Sequence, residues 1–352
     1  MKKGYVMKAL VLFGPGDYRV CQRERPECPD KGLLVKVLAC GLCGSDLRTL
    51  KSGHRNITYP RIIGHEIAGV VEETGRNYEG EWQTGDPISV GPMVYCGTCI
   101  FCRQGRHELC ANSREIAQQW DGGFAEYVAL PEQALRFGSI SKTPENLPPH
   151  LATLSEPASS CIHAQMKACV SLGDSVVIFG CGPIGCLHVV LARAGGARKI
   201  IVADISDARL ELCKQFHPDV LINSSVEDPR DIILKETGGM GASVVITANP
   251  VGQTQVLAME IAQKGGRVVF FGGLPHNDSK PGIDTNLIHY KGLQVIGIST
   301  FNLEHYRLAL EALASGIIPA AKIVTHVMPL DDIGEAVALA RDGKALKVVL
   351  TP

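Results

Sequence analysis

Net charge is almost absent from this chain. Its 352 residues carry 35 Lys plus Arg against 36 Asp plus Glu, a formal balance of -1. It therefore lacks the field that would draw nucleic acid or an anionic membrane surface. Long apolar runs are also missing. Those present are strand-length and broken by Gly and polar residues, and none could span a bilayer. The opening stretch MKKGYVMKALVLFGPG has two lysines but too short an apolar segment for a secretory signal, and it reads as a strand. The expected location is the cytoplasm. There is no internal repeat and no low-complexity segment. What remains, 45% hydrophobic and 20% charged residues, is the composition of a soluble globular protein, and the length calls for two domains. Cysteine, in contrast, is abundant at thirteen residues. The odd count and the absence of a signal segment argue against a disulfide framework, which leaves metal binding to be tested by spacing.

Two textures divide the chain. To about residue 155, short β-like runs such as LLVKVLA, EIAGVVEETG and PISVGP are separated by Gly and Pro, the pattern of a barrel-like β-rich domain with long loops. From about residue 172, strands alternate with helical stretches. SVVIFG precedes a helix around CLHVVLARAG, KIIVADI precedes DARLELCKQF, and SVVITA precedes a helix through QVLAMEIAQ. GRVVFFG and LQVIGI follow. That alternation predicts an α/β doubly wound parallel sheet. After residue 298 comes the helix EHYRLALEALASG, and the chain closes on LKVVLTP, a tail expected to rejoin the first domain. The predicted division is 1–155, 156–297 and 298–352.

Gly180-Cys181-Gly182-Pro183-Ile184-Gly185 has the glycine spacing of a dinucleotide-binding turn, set after the buried-strand run Val176 to Phe179 and opening a helix. Gly180 permits the tight turn, Gly182 lets the backbone approach a pyrophosphate, and Gly185 lets helix and strand pack closely. The helix N-terminus offers N–H groups to the phosphates. Asp204 ends KIIVAD about 20 residues later, where a carboxylate binds the adenosine ribose and repels the extra phosphate of NADP. NAD is the expected cofactor. Arg209, one turn into the next helix, is expected to cover the adenine or the ribose edge. The competing reading of Asp204 is a helix N-cap.

Cys96, Cys99, Cys102 and Cys110 are four thiols on one short loop, interspersed with Gly, Arg, Gln and His rather than core residues. Thiolates at such spacing close tetrahedrally around zinc and leave no open position, so this site is structural. A second set is dispersed. Cys43 lies in CGLCGSD, His65 and Glu66 in a GHE triplet, and Glu156 in LSEPASSCIHA. One thiolate, one imidazole and one carboxylate would hold zinc with a place left for water or substrate. Asp46 is a candidate acceptor for the His65 ring N–H.

Taken in order, GLCGSD, GHEIAGVVEETG, the four-cysteine loop, DGGFAEYV and GCGPIG with Asp204 resemble the zinc-containing medium-chain dehydrogenase/reductase family, most closely its sorbitol (polyol) dehydrogenase branch. The resemblance runs over essentially the whole chain. It implies a GroES-like catalytic domain joined to a Rossmann domain, with the active site in the cleft between them. Cys43 and His65 are then zinc ligands, Glu66 a ligand or near-ligand, and Glu156 a ligand or the holder of the zinc-bound water. The metal would polarise a substrate hydroxyl while the carbon passes a hydride to NAD. Ser45 would take the hydroxyl proton and hand it on through the cofactor ribose. Its competing reading is a turn serine bonded to local backbone. The implied substrate is a small-molecule secondary alcohol on a polyol or sugar-derived skeleton, and the implied assembly a homodimer or homotetramer.

Two positions depart from the family pattern. Arg48 stands where the proton relay often ends in histidine, and Thr300-Phe301 replaces the Arg-Tyr pair of the sorbitol enzymes. Sorbitol itself is therefore not implied. Threonine, simple alcohol and polyol-phosphate dehydrogenases on the same scaffold are the alternatives, with a non-enzymatic nucleotide sensor as the rival of another class. Arg48 is expected to meet the cofactor pyrophosphate or a substrate phosphate, or else to face solvent. His163 and Trp120 read as packing residues, and His54 as a loop residue.

Overall fold

A computed structural model describes residues 5–275 and 278–352. The chain divides into two compact units, one formed by Met1–Ser159 with Phe301–Pro352 and the other by Ser160–Thr300.

The second unit is built on six parallel strands. Counted along the chain they are Ser175–Phe179, Lys199–Asp204, Val220–Asn223, Ala242–Thr247, Ala262–Phe270 and Gln294–Gly297, and across the sheet they run 3-2-1-4-5-6. This is the Rossmann order. The first strand is buried at every position, and the second at all but its first residue. That is why these segments are continuous β-branched runs without polar alternation: helices cover both faces of a parallel sheet. The strand Val220–Asn223 and the helix Pro229–Glu236 have no counterpart in the sequence reading. The strand is four residues long and mostly half-buried, so its apolar signal is weak.

The first unit contains a three-stranded sheet of Val6–Gly14, Asp17–Glu24 and Arg61–Ile62, and an eight-stranded sheet whose middle is Leu33–Gly41 paired antiparallel with Glu66–Thr74. The β-rich, GroES-like half and the Rossmann half together make the α/β class expected. The strand Lys347–Thr351 lies on the other side of Leu33–Gly41, with Val349 opposite Gly41 and Leu350 opposite Cys40. Leu33–Gly41 is thus flanked by strands separated from each other by some 270 residues of chain. The core of this unit gathers Leu10, Leu12, Leu33, Val35, Ile67, Ile88 and Phe124 with Val348 and Leu350 from the last strand. Trp120 is half-buried against that core, with the Arg114 guanidinium 5.9 Å from its ring.

Candidate active site and metal centres

The end of the strand Leu33–Gly41 delivers the chain to Cys43, the N-cap of the helix Gly44–Ser52. Asp46, in the first turn, is buried and accepts the Cys43 N–H on Oδ2 at 2.9 Å. Its Oδ1 lies 3.2 Å from His65 Nδ1. One carboxylate therefore orients two prospective ligands. With Nδ1 engaged, His65 presents Nε2 as its ligating nitrogen. Burial works to lower the His65 pKa, but the Asp46 carboxylate and the Cys43 sulfur outweigh it and hold it well above the ordinary imidazole value. Gly64, just before His65, has a φ of +93° and sits against the Phe124 ring, so the turn that aims the imidazole needs glycine.

Glu66 opens its strand opposite Gly41 and is fully buried. A Cβ on Gly41 would overlap the Glu66 carboxylate, so Gly41 makes the space that the carboxylate fills. Lys347, 3% exposed, donates to Glu66 Oε1 at 2.6 Å and also pairs with Oε2. Burial pulls the Lys347 pKa down, and the surrounding negative groups, Glu66 foremost, raise it overall. The pair lies 281 residues apart in the sequence, and no local motif marks Lys347. Only its place as a charged residue in the otherwise apolar run LKVVL hinted at a buried partner.

One ligand atom each from Cys43, His65 and Glu66 lies within 4.8 Å of the other two. A thiol, an imidazole and a carboxylate at that spacing fit a zinc ion with an open coordination position. Glu156, in the helix Ser155–Lys167, is not part of that closed group but feels the charges of His65, Glu66, Lys347 and Asp46. Burial is the largest influence on it and raises its pKa to about 7. Ser45 is half-buried in the first turn of the helix Gly44–Ser52, and Arg48 is exposed further along it. Glu115, half-buried nearby, has its pKa raised chiefly by burial while His65 and His54 oppose the shift. No motif in the sequence marks Glu115, which lies in the two-residue strand Arg114–Glu115. His54 is tied into its own turn, where its N–H donates to the Tyr59 hydroxyl at 2.9 Å.

The four-cysteine loop brings Cys96, Cys99, Cys102 and Cys110 within 4.8 Å of one another. The Cys96 and Cys102 sulfurs are 3.9 Å apart. That is close to the separation of about 3.8 Å that a zinc–sulfur bond of about 2.3 Å gives across a tetrahedron. The backbone is already arranged for anionic sulfur. Cys96 Sγ accepts from Cys99 N–H at 3.3 Å, and N–H groups of Thr98 and Cys99 lower its pKa to about 5. Cys102, the most buried of the four, is pushed the other way to about 12 by desolvation.

In the second unit, Gly180 turns with a φ of +104°. A Cβ on Gly182 would project into open space, the room a ligand needs to reach the backbone. A Cβ on Gly185 would overlap the Gly180 carbonyl. Pro183 and Ile184 begin the helix Pro183–Ala194, with Pro at its N-terminus, where its missing N–H costs nothing. Asp204 is buried, and its oxygens accept from Cys181 N–H at 2.7 Å and Ser206 N–H at 3.0 Å. It therefore ties the glycine turn to the second strand, a duty its sequence position did not reveal. Ser206, not Asp204, caps the next helix, accepting from Arg209 N–H at 3.4 Å. Arg209 is half-buried there. His163 is buried, with its Nδ1 2.6 Å from the Thr300 carbonyl oxygen.

Known proteins share this arrangement. Residues 29–137 match the alcohol dehydrogenase GroES-like domain, and residues 183–315 match the zinc-binding dehydrogenase family. An L-threonine 3-dehydrogenase of Pyrococcus abyssi is 36% identical over 350 residues, covering 98% of this chain and 97% of the relative. Among solved structures, a zinc-binding dehydrogenase type of protein from Sinorhizobium meliloti, bound to NADP, superposes with a TM-score of 0.91 at 31% identity over 99% of this chain and 100% of that one. The 2R,3R-butanediol dehydrogenase of Bacillus subtilis does so with a TM-score of 0.89 at 27% identity, over 98% and 99% of the two chains. No helix among the described residues is long and apolar enough to cross a membrane. The chain belongs to the zinc-containing medium-chain dehydrogenases, oxidoreductases of the alcohol dehydrogenase type that work with zinc and a nicotinamide cofactor.

Proposed function

We propose that the protein oxidises, with NAD, a secondary alcohol whose neighbouring carbon bears a hydroxyl or amino group. The observation that carries the reading is the convergence of Cys43, His65 and Glu66 ligand atoms within 4.8 Å, with Asp46 bracing two of them. Zinc held there supplies Lewis acidity to the substrate oxygen. The remaining work belongs to the chain. Asp46 keeps His65 in one tautomer and orientation, Lys347 neutralises Glu66, and Ser45 takes the substrate hydroxyl proton. Glu156 completes the donor set or holds a water beside it. Asp204 selects NAD, because a buried carboxylate repels the added phosphate of NADP.

The surroundings bear on the substrate. Asp46, Glu66, Glu115 and Glu156 make the site rich in acid, Lys347 is committed to Glu66, and Arg48 is exposed. A phosphorylated polyol is disfavoured by such a field. A neutral polyol is accepted, and so is an amino alcohol such as L-threonine, whose ammonium group such a field attracts. The Pyrococcus abyssi and Bacillus subtilis relatives described above are named for molecules of these two kinds.

 Among the described residues the edge strand Gln294–Gly297 pairs on one side only, with Ala262–Phe270, and Val295 on it is 40% exposed. An unpaired edge of this kind suits a second copy of the chain, in keeping with a homo-oligomer.

The test is a spectrophotometric screen at the NADH wavelength with L-threonine, 2,3-butanediol, sorbitol and sugar phosphates, each against NAD and NADP. Turnover of a vicinal diol or amino alcohol with NAD is the expected result. Turnover confined to phosphorylated substrates, or none with any alcohol despite NADH binding, overturns the reading. Asp204→Ala should weaken NAD binding and narrow its advantage over NADP, and a wild-type preference for NADP would defeat the assignment of Asp204.

A further inference from the structure

A third cluster of sulfur lies in the Rossmann unit, and both metal centres described above belong to the first unit. Cys181, Cys186 and Cys213 are each 0% exposed, and their sulfurs lie within 4.8 Å of one another. They come from three separate pieces of structure. Cys181 sits inside the glycine turn between Gly180 and Gly182, Cys186 in the helix Pro183–Ala194, and Cys213 at the end of the helix Asp207–Cys213. The backbone around them is well tied. Cys181 N–H donates to Asp204, Cys181 Sγ–H to the Arg209 carbonyl at 3.4 Å, and Cys186 Sγ–H to the Cys181 carbonyl at 3.8 Å.

We propose that Cys181, Cys186 and Cys213 form a buried three-sulfur site for a soft monovalent cation of the copper(I) class, and that its occupancy weakens dinucleotide binding. Three sulfurs and no oxygen or nitrogen donor select a soft ion over magnesium, calcium or manganese. The number of donors suits trigonal coordination, in which metal–sulfur bonds of about 2.3 Å put the sulfurs about 4 Å apart, within the spacing seen here. Thiolate is the ligating form of cysteine, so binding releases three protons to solvent and changes no oxidation state.

The consequence for the dinucleotide follows from the position of Cys181. Drawing three sulfurs onto one ion shifts the turn and the start of the helix, whose N–H groups are the ones offered to a pyrophosphate. Two ligands that prefer different shapes of one turn oppose each other, and the opposition is reciprocal. This second half rests on the dinucleotide reading of the turn, which NADH binding to the copper-free protein tests separately.

The experiment uses the full chain loaded with zinc, so that the cysteines of the two zinc sites are occupied. Copper(I) is supplied against a chromogenic chelator, and retained zinc is counted. The wild type should take up one more copper(I) per chain than Cys213→Ala, and X-ray absorption at the copper edge of the wild type should show three sulfurs at about 2.3 Å. NADH affinity should fall by about fivefold or more on copper loading of the wild type and stay unchanged in Cys213→Ala. Equal copper uptake by the two proteins overturns the site. So does a copper edge showing fewer than three sulfurs, which needs no variant to fold. Uptake without any change in NADH affinity overturns the coupling. Failure of the copper-free wild type to bind NADH overturns the dinucleotide reading instead.

Discussion

The two zinc constellations of the first unit are assembled in opposite ways. The four-cysteine loop draws all its ligands from fifteen consecutive residues and orients them with its own backbone N–H groups. The Cys43, His65 and Glu66 group takes its ligands from a helix cap and a strand start, and its supports, Asp46 and Lys347, from the same helix and from the far end of the chain. A closed local site can fail without altering chemistry. An open site held by distant supports should fail by degrees, according to which support is removed.

The sharpest break in that contrast is His65→Ala or Cys43→Ser. Turnover should fall by roughly 10⁴-fold or more, given that activating the hydroxyl depends on the metal. NADH binding, measured by fluorescence, should persist. Cys99→Ser should do the reverse. It should release the loop zinc and lower the melting temperature, by about 2–4 °C for every kcal/mol lost in a domain of this size, while folded protein keeps its activity. Zinc content and calorimetry on the two variants decide whether the sites are separable.

Smaller effects probe the supports. Lys347→Met strands a buried carboxylate and should cost about 3–5 kcal/mol of stability. The double variant with Glu66→Gln should recover part of that loss in denaturant titration, and no recovery would mean that the two residues act independently. Asp46→Asn should lower zinc affinity at the open site by about 10- to 100-fold, read by chelator competition, and leave the loop zinc unchanged.

The same contrast explains what could be read before the structure. The cysteine loop and the glycine turn were legible because their chemistry is local in sequence, and so was the α/β alternation built on long buried strands. Asp46 was legible as a neighbour of Cys43 and an acceptor for His65. Lys347 and Glu115 were not, because their partners are set by strand order and loop packing, which no window of sequence contains. Cys181, Cys186 and Cys213 were hidden for a related reason. Each looks like an ordinary apolar filler in its own element, and only the packing of two helices around the glycine turn puts their sulfurs together. The strand Val220–Asn223 was missed because four half-buried residues leave too little pattern.

The ion pair between Glu66 and Lys347 also sets an order of assembly. Glu66 enters the core from the strand Glu66–Thr74, but its countercharge sits on Lys347–Thr351. A nascent chain that has emerged through residue 340 holds every candidate zinc ligand of the open site yet still has an uncompensated carboxylate at its centre. Until the last strand docks beside Leu33–Gly41, that carboxylate must stay hydrated or protonated, and the open site cannot close around it. Synthesis of Glu66 and maturation of the site are therefore separate events, divided by 281 residues of chain.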